Sequence, residues 1–581
     1  MNSPLEVKEV GDLLLAQGKL TEQQLEQVRR RQKRLNIAQH RAIVDLNFAS
    51  EEDTWRALAV VSHMEFVDPV AMEVSRETVE LVPIKFVFHY RLLPVGVEED
   101  GLILAFSEPP RQMEQGNLRL VLGKRFKGVL ATPSSIHAVI KKHFGLGAET
   151  IQKLREERGG SEISQEIVFD VQGKEADSAL ESTVSAFVDQ ILNEALRLQA
   201  TDIHLEPYAN AIRLRYRVDG ILETVPVPAD MRFLHSAVVS RLKIMAGLNI
   251  AEKRLPHDGR IAMKTGADEY DLRVSVVPTK HGEAVSLRIL GRQSLFLDLG
   301  QLGMEANQEA VFAKLTALPQ GLVLLTGPTG SGKTTTLYTA LAQANDESRK
   351  VITFEDPIEY QLDGTVQIQV REQIGLTFAT GLRSVLRHDP DVVLVGEIRD
   401  LETAEIAVRA AQTGHLVFST LHTNDSISAV TRLLEMRIEP YLIASSLVCS
   451  ISQRLARRIC RHCAREDTAI PTETRKEMAA DLKIGPEEVR AWKGLGCVEC
   501  NQKGHRGRVA VYDFFLLNEA IADLIRPGLR TGELRRAARK LGWRSLREMG
   551  WFKVQRGLIP ISEQERWTRT MDPGALVPTP V

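Results

Sequence analysis

The segment Gly327-Pro328-Thr329-Gly330-Ser331-Gly332-Lys333-Thr334 constrains this chain more than any other. It fits G-x-x-x-x-G-K-[ST], and its surroundings fit too. Leu322–Thr326 reads as a short buried strand and Thr335–Ala344 as a helix. Glycines at that turn let backbone N–H groups curl around phosphates, and the helix N-terminus adds a favourable dipole. Lys333 would reach the β- and γ-phosphates, and the Thr334 hydroxyl would ligate Mg²⁺. From about residue 296 the strand–loop–helix pattern repeats, which predicts a parallel α/β sheet.

Two acidic stations follow the loop. Thr353-Phe354-Glu355-Asp356-Pro357-Ile358-Glu359-Tyr360 trails the apolar strand Val351–Phe354. Val392–Val395 is a second buried strand, and Glu397 follows it at the position of a Walker B acid. In open α/β sheets ligands gather at the carboxyl ends of strands, so both stations belong near the γ-phosphate. A carboxylate there orients water or holds Mg²⁺. Asp389, Asp391 and Asp400 read as caps or salt-bridge partners. His415 and His422 flank a further apolar strand, with His422 after its end.

Four of the five cysteines form two pairs, Cys460-x-x-Cys463 and Cys497-x-x-Cys500, with 33 residues between them. Four thiolates suit tetrahedral Zn²⁺ in a closed structural site. The long gap suggests an inserted helix, and Cys449 is left over as a small buried hydrophobe. Arg454, Arg457, Arg458 and Arg461 have the spacing of one helix face. That face is either solvated or a contact surface.

The length of 581 residues predicts about four domains at roughly 150 residues each. Residues 1–145 read as an N-terminal docking module, helical over 1–62 and α+β over 80–145. Residues 146–180 read as a glycine-rich flexible linker, 181–295 as an α+β domain, and 296–455 as the nucleotide-binding domain. Residues 456–513 form a tetracysteine subdomain and 514–581 a helical end. Within the helical start, Thr21-x-x-Gln24 and Ser50-x-x-Asp53 hint at a repeat shifted by 29 residues. The net charge of −2 excludes a nucleic-acid binder that relies on a basic whole-chain field. The sequence has no run of about 18 apolar residues and no basic, apolar leader at its start, so a cytoplasmic protein is expected.

The boxes GPTGSGKTT, TFEDPIEY, RHDPDVVLVGEIRD and GHLVFSTLHTND resemble, in that order, the Walker A, Asp, Walker B and His boxes of the secretion ATPase superfamily. The likeness is to the type II secretion and type IV pilus assembly ATPases (GspE/PilB-like). It extends upstream through ATDIHLEP, IRLRYRVDG and AEKRLPHDGRI, and downstream through the cysteine pairs.

The resemblance implies an α/β fold. A RecA-like P-loop ATPase domain is preceded by an α+β (PAS-like) domain and a small α+β N-terminal module, with a zinc-binding insertion in the C-terminal part. It implies a homohexamer that hydrolyses ATP with Mg²⁺ at the cytoplasmic face of the inner membrane, attached through an inner-membrane platform protein and binding no nucleic acid directly. Glu359, Glu397 and His422 would be the Asp-box, Walker B and His-box residues, and Thr335 would extend the phosphate loop. Arg213, Arg215 and Arg217, or Arg254 and Arg260, could neutralise phosphate charge. Alternating arginines on a strand are equally a solvated face, so Arg217 and Arg260 stand as candidates only by position. Some relatives bind cyclic di-GMP through tandem N-terminal R-L-G motifs. Here Glu9-Val10-Gly11 lacks the arginine, and the second copy has His40 and Asn47 at the glycine positions, which predicts no strong binding. The competing functions are a conjugation or DNA-uptake motor and a nucleotide-gated scaffold that does not hydrolyse.

Overall fold

The computed structural model describes residues 9–98, 101–157, 178–265, 268–291 and 299–568. The chain divides into two units, Met1–Met263 with Asp271–Ile289, and Lys264–Tyr270 with Leu290–Val581.

The first unit opens on helices Val10–Ala16 and Glu22–Leu35, then Gln39–Asp45 and Glu51–Val61. The starts differ by 29 residues in both cases, 39 − 10 and 51 − 22, so the degenerate sequence repeat is a clear backbone repeat. The caps explain why. Thr21 Oγ1 accepts from the Gln24 N–H at 3.3 Å, and Ser50 Oγ accepts from the Asp53 N–H at 3.0 Å. Gly18 and Asn47, with φ of 70° and 54°, both take the left-handed conformation that ends the first helix of each pair. These helices share a core with a four-stranded sheet in the order Glu65–Phe66, Phe126–Leu130, Gly101–Phe106, Leu92–Glu98. The expected hairpin pairs Leu92 with Phe106 through to Glu98 with Gly101.

The expected linker needs correction. Ala148–Glu157 is a helix, and Leu146, Ile151 and Leu154 are buried. A Cβ on Gly147 would sit 2.5 Å from the Phe187 ring, and one on Gly145 2.9 Å from the Pro226 carbonyl oxygen. These glycines mark close packing, where sequence alone reads flexibility. The rest of that segment, 158–177, lies outside the described residues. Helices Ser178–Arg197 and Met231–Met245 accompany a six-stranded sheet ordered Ile221–Val225, Ile212–Val218, Asp202–Pro207, Gly282–Gly291, Asp268–Thr279, His257–Thr265.

The second unit is built on seven strands: β1 Gly321–Thr326, β2 Val351–Glu355, β3 Val366–Gln369, β4 Val392–Val395, β5 Leu416–Leu421, β6 Leu447–Ile459 and β7 His505–Leu516. Their order is β3-β2-β4-β5-β1-β6-β7, parallel except for the β6–β7 pair. β1, β4 and β5 are buried along their whole length, which is why they read as continuous apolar runs rather than alternating ones. Helix α1, Lys333–Ala344, follows β1. One core, with Leu324, Phe354 and Val395, packs one face of the sheet, and another, with Val323, Leu325 and Leu337, packs the other.

Two expectations differ here. The boundaries at 455/456 and 513/514 fall inside β6 and β7, so the cysteine segment is an excursion between two strands of the main sheet. Arg454, Arg457 and Arg458 lie on β6 and Arg461 just beyond it, and no helix carries them. Pairing with β7 overrides the local helical spacing. Helix Thr472–Leu482 does lie between the cysteine pairs. Among the described residues no helix is long and apolar enough to cross a membrane.

Candidate active site

The phosphate loop begins where β1 ends. Gly327, Gly330 and Gly332 have φ of 142°, 77° and 89°. A Cβ on Gly327 would sit 2.6 Å from the Gln453 carbonyl oxygen, and one on Gly332 2.8 Å from Gln453 Nε2, so β6 presses on the loop from behind. Lys333 Nζ donates to the carbonyl oxygens of Gly327 and Pro328 at 2.8 and 3.2 Å. Burial holds the Lys333 ammonium below its usual pKa; Glu397 opposes that shift and Arg454 adds to it. Thr334 is exposed at the mouth of the loop, and Ser331 Oγ is buried with no hydrogen-bond partner among the described residues. Beneath the loop, Thr336 Oγ1 donates to Gln453 Oε1 at 3.0 Å and lies 3.1 Å from the Tyr512 hydroxyl.

Glu397 is set by its neighbours on both sides. The Gly396 N–H donates to the Phe354 carbonyl at 2.8 Å, and the Ile398 N–H to that of Thr420 at 3.1 Å. Thr420 Oγ1 donates to the Gly396 carbonyl at 2.8 Å. The turn after β4 is thereby pinned to β2 and β5. His422, one residue past β5, brings Nε2 to 3.3 Å from Glu397 Oε2. The other carboxylate oxygen is ion-paired with Arg399, whose guanidinium also lies 3.6 Å from Asp356 Oδ2. Arg399 follows Glu397 by two residues, the signal that sequence reading passed over.

The two acids of the next station behave differently. Glu355 is buried and accepts hydrogen bonds from Thr353 Oγ1, the Tyr338 hydroxyl and Gln367 Nε2. It ties α1 to β2. Glu359 is half-buried, and its N–H donates to the same Tyr338 hydroxyl at 3.3 Å. Tyr338 therefore connects the phosphate-loop helix to both acids. Asp391 accepts from the Lys350 N–H and Asp400 from the Thr403 N–H, each at 2.7 Å, the structural roles expected for them. His415 Nδ1 lies 3.0 Å from the Ala410 carbonyl, at the opposite end of β5 from His422.

The candidate arginines belong to the first unit. Arg213 lies 4.6 Å from the Tyr208 ring centroid, Arg215 pairs with Glu206, Arg217 lies 3.4 Å from Asp202, and Arg254 lies 2.7 Å from Glu252. Arg260 lies 4.0 Å from Asp271 and lines a cavity of about 450 Å³ with Arg273, Arg288 and Asp202.

The four paired cysteines converge, with all Sγ atoms within 4.8 Å of one another. Cys460–Cys497 and Cys463–Cys500 are each 3.8 Å apart, and Cys497–Cys500 3.7 Å. A tetrahedron with Zn–S bonds of about 2.3 Å has edges of about 3.8 Å, which these three separations match. N–H groups of Gly496, Cys497 and Gly504 donate to Cys463 and Cys500 at 3.2–3.3 Å, which would stabilise thiolates. Cys449 is buried in β6, outside the cluster.

Comparison with known proteins accords with this arrangement. Residues 177–566 match the model of the Type II/IV secretion system protein family, and residues 62–150 that of the MshEN domain. The chain is 38% identical over 562 residues to the type IV pilus assembly ATPase PilB of Myxococcus xanthus, covering 95% of this chain and 98% of that one. It is 47% identical over 386 residues to the type II secretion system protein HxcR of Pseudomonas aeruginosa, covering 66% and 77%. Among solved structures, the pilus retraction motor PilT with bound ADP is 28% identical, with a TM-score of 0.43, over 67% of this chain and 98% of that chain. The chain belongs to the Type II/IV secretion system protein family and is a P-loop ATPase of the secretion ATPase superfamily.

Proposed function

We propose that this ATPase works as a Mg²⁺-dependent homohexamer that drives assembly of a type IV pilus or a type II secretion pseudopilus at the cytoplasmic face of the inner membrane. The observation that carries the catalytic part is the meeting of Glu397 and His422 at the carboxyl ends of adjacent strands, in the parallel sheet whose β1 leads into the phosphate loop. In this reading Gly327 to Gly332 wrap the phosphates and Lys333 holds the β- and γ-phosphates. Thr334 ligates Mg²⁺ when that ion is bound. Glu397 orients the attacking water, Glu359 supplies a second acid, and His422 reads the γ-phosphate through its contact with Glu397. The four cysteines hold Zn²⁺ as a structural ion.

The choice of machine rests on the relatives, which include both a pilus assembly ATPase and a type II secretion protein. Residues 1–145 are the proposed docking module for an inner-membrane platform protein. Purified protein should release phosphate only with Mg²⁺, at a rate unchanged by added DNA. A rate that rises severalfold with DNA would favour the DNA-motor reading instead.

Cyclic di-GMP divides the observations. The match to MshEN, a cyclic di-GMP-binding domain, weighs against the expected lack of binding. The second helix pair weighs for it. His40 stands where Gly11 stands in the first pair; its ring is 5.2 Å from that of Trp55, and its Nε2 is 3.4 Å from Glu108 Oε1. His40 and Arg41 hold the Glu108 carboxyl down to about 2, so both side chains are already engaged by a carboxylate of their own chain.

A further inference from the structure

Beyond these residues, β6 carries one more cation, Arg454, whose charge acts on Lys333. The last pairing between β1 and β6 is Thr326 with Ser452. β6 then runs on as a ribbon with β7, pairing Gln453 with Tyr512, Arg454 with Val511 and Leu455 with Ala510. That ribbon stands against the loop. Gln453 lies beside Gly327 and Gly332, and the Leu455 methyls lie 3.5 Å from a Cβ built on Gly332.

Arg454 sits between these two contacts in the chain, and the alternation of a strand sends its side chain to the other face. There its guanidinium reaches Asn424 Oδ1 at 3.5 Å, in the loop that follows His422. It is half-buried, and no carboxylate among the described residues is paired with it. In the same unit Arg457 lies 2.8 Å from Glu563 and Arg399 is paired with Glu397, whereas Arg458, further along β6, is also held below its ordinary pKa by burial. Burial alone pushes Arg454 below its ordinary pKa, and its charge is felt at Lys333. A guanidinium drawn out of water with no counter-charge is unfavourable unless an anion joins it.

We infer that Arg454 binds the phosphate tail of the nucleotide held by the phosphate loop of its own chain. This rests on the reading of Gly327–Thr334 as the nucleotide site. A planar fork of N–H donors can hold two phosphate oxygens at once and stabilise the charge that grows on the transferred phosphoryl group.

The test compares wild type with Arg454→Ala, Arg454→Lys and Lys333→Ala, reading ATP and ADP affinity, kcat, KM and melting temperature. Arg454→Ala should melt normally, keep ADP affinity within about threefold, and lose about tenfold or more in ATP affinity and in kcat. Arg454→Lys should fall between, since it restores charge without the fork. If Arg454→Ala keeps wild-type ATP affinity and turnover while Lys333→Ala loses them, the assignment of Arg454 is overturned alone. If Lys333→Ala also binds and turns over normally, the nucleotide site itself is wrong. Should Arg454→Ala fail to fold, phenylglyoxal labelling of the wild type decides: ATP should protect Arg454, and equal labelling with and without ATP overturns the proposal.

Discussion

His422 Nε2 lies 3.3 Å from Glu397 Oε2. The two residues come from adjacent parallel strands in a register that pairs Val395 with Ser419. Each follows the end of its strand by a residue or two, so the sheet itself sets their separation. A histidine in that place can respond to the γ-phosphate and pass the change to the carboxylate that orients water. His422→Ala should therefore keep ATP affinity within about threefold and lower kcat by about tenfold to hundredfold. An unchanged kcat in the folded variant would remove His422 from the chemistry.

The phosphate loop, the Walker B strand and the cysteine cluster were legible in the sequence because each is a local pattern with strict spacing. Glu397 and His422 could be named because strand ends collect ligands in such sheets. Arg454 was legible only as one of a basic run, and its spacing pointed to a helix. Its position depends on β1 and β7, which are distant in sequence, so no local signal sets it on the strand that runs behind the phosphate loop. The same holds for Gln453. Gly145 and Gly147 misled for the opposite reason: a glycine marks both loose chain and tight packing, and only the neighbour, Phe187 or Pro226, tells which.

Asp513 on β7 carries a pH dependence. Ser426 Oγ and, at 3.0 Å, Trp543 Nε1 donate to its carboxylate, yet burial pushes the carboxyl up from 3.8 to about 7. Between these pH values the folded state holds a proton that the unfolded chain has released. Stability contributed by this group thus falls as pH rises from about 4 to about 7, and levels off above. Asp513→Asn cannot titrate, so its melting temperature should gain on wild type across that window, most above pH 7. A difference independent of pH would contradict the burial argument.

The cysteine cluster predicts a metal-dependent fold for its segment. Wild type and Cys449→Ser should carry zinc in equal amount, and Cys500→Ser should lose it. Loss of a structural ion should lower melting by about 5 °C or more, given that ~1 kcal/mol shifts a domain of this size by ~2–4 °C. Metal analysis finding no zinc in wild type purified without chelator would reject the assignment.

Calorimetric titration of cyclic di-GMP into the full chain should give an affinity weaker than about micromolar, because His40 and Asn47 stand at the glycine positions of the second repeat and His40 is held against Glu108. Micromolar or tighter binding would show that the MshEN likeness outweighs those substitutions.

The central claim is that Glu397 acts on water rather than on nucleotide binding. The most direct measurement is ATP binding and single-turnover hydrolysis by Glu397→Gln, which keeps size and loses charge. ATP affinity should stay within about threefold of wild type, and hydrolysis should slow by about a hundredfold or more. Hydrolysis near the wild-type rate in that variant would contradict it.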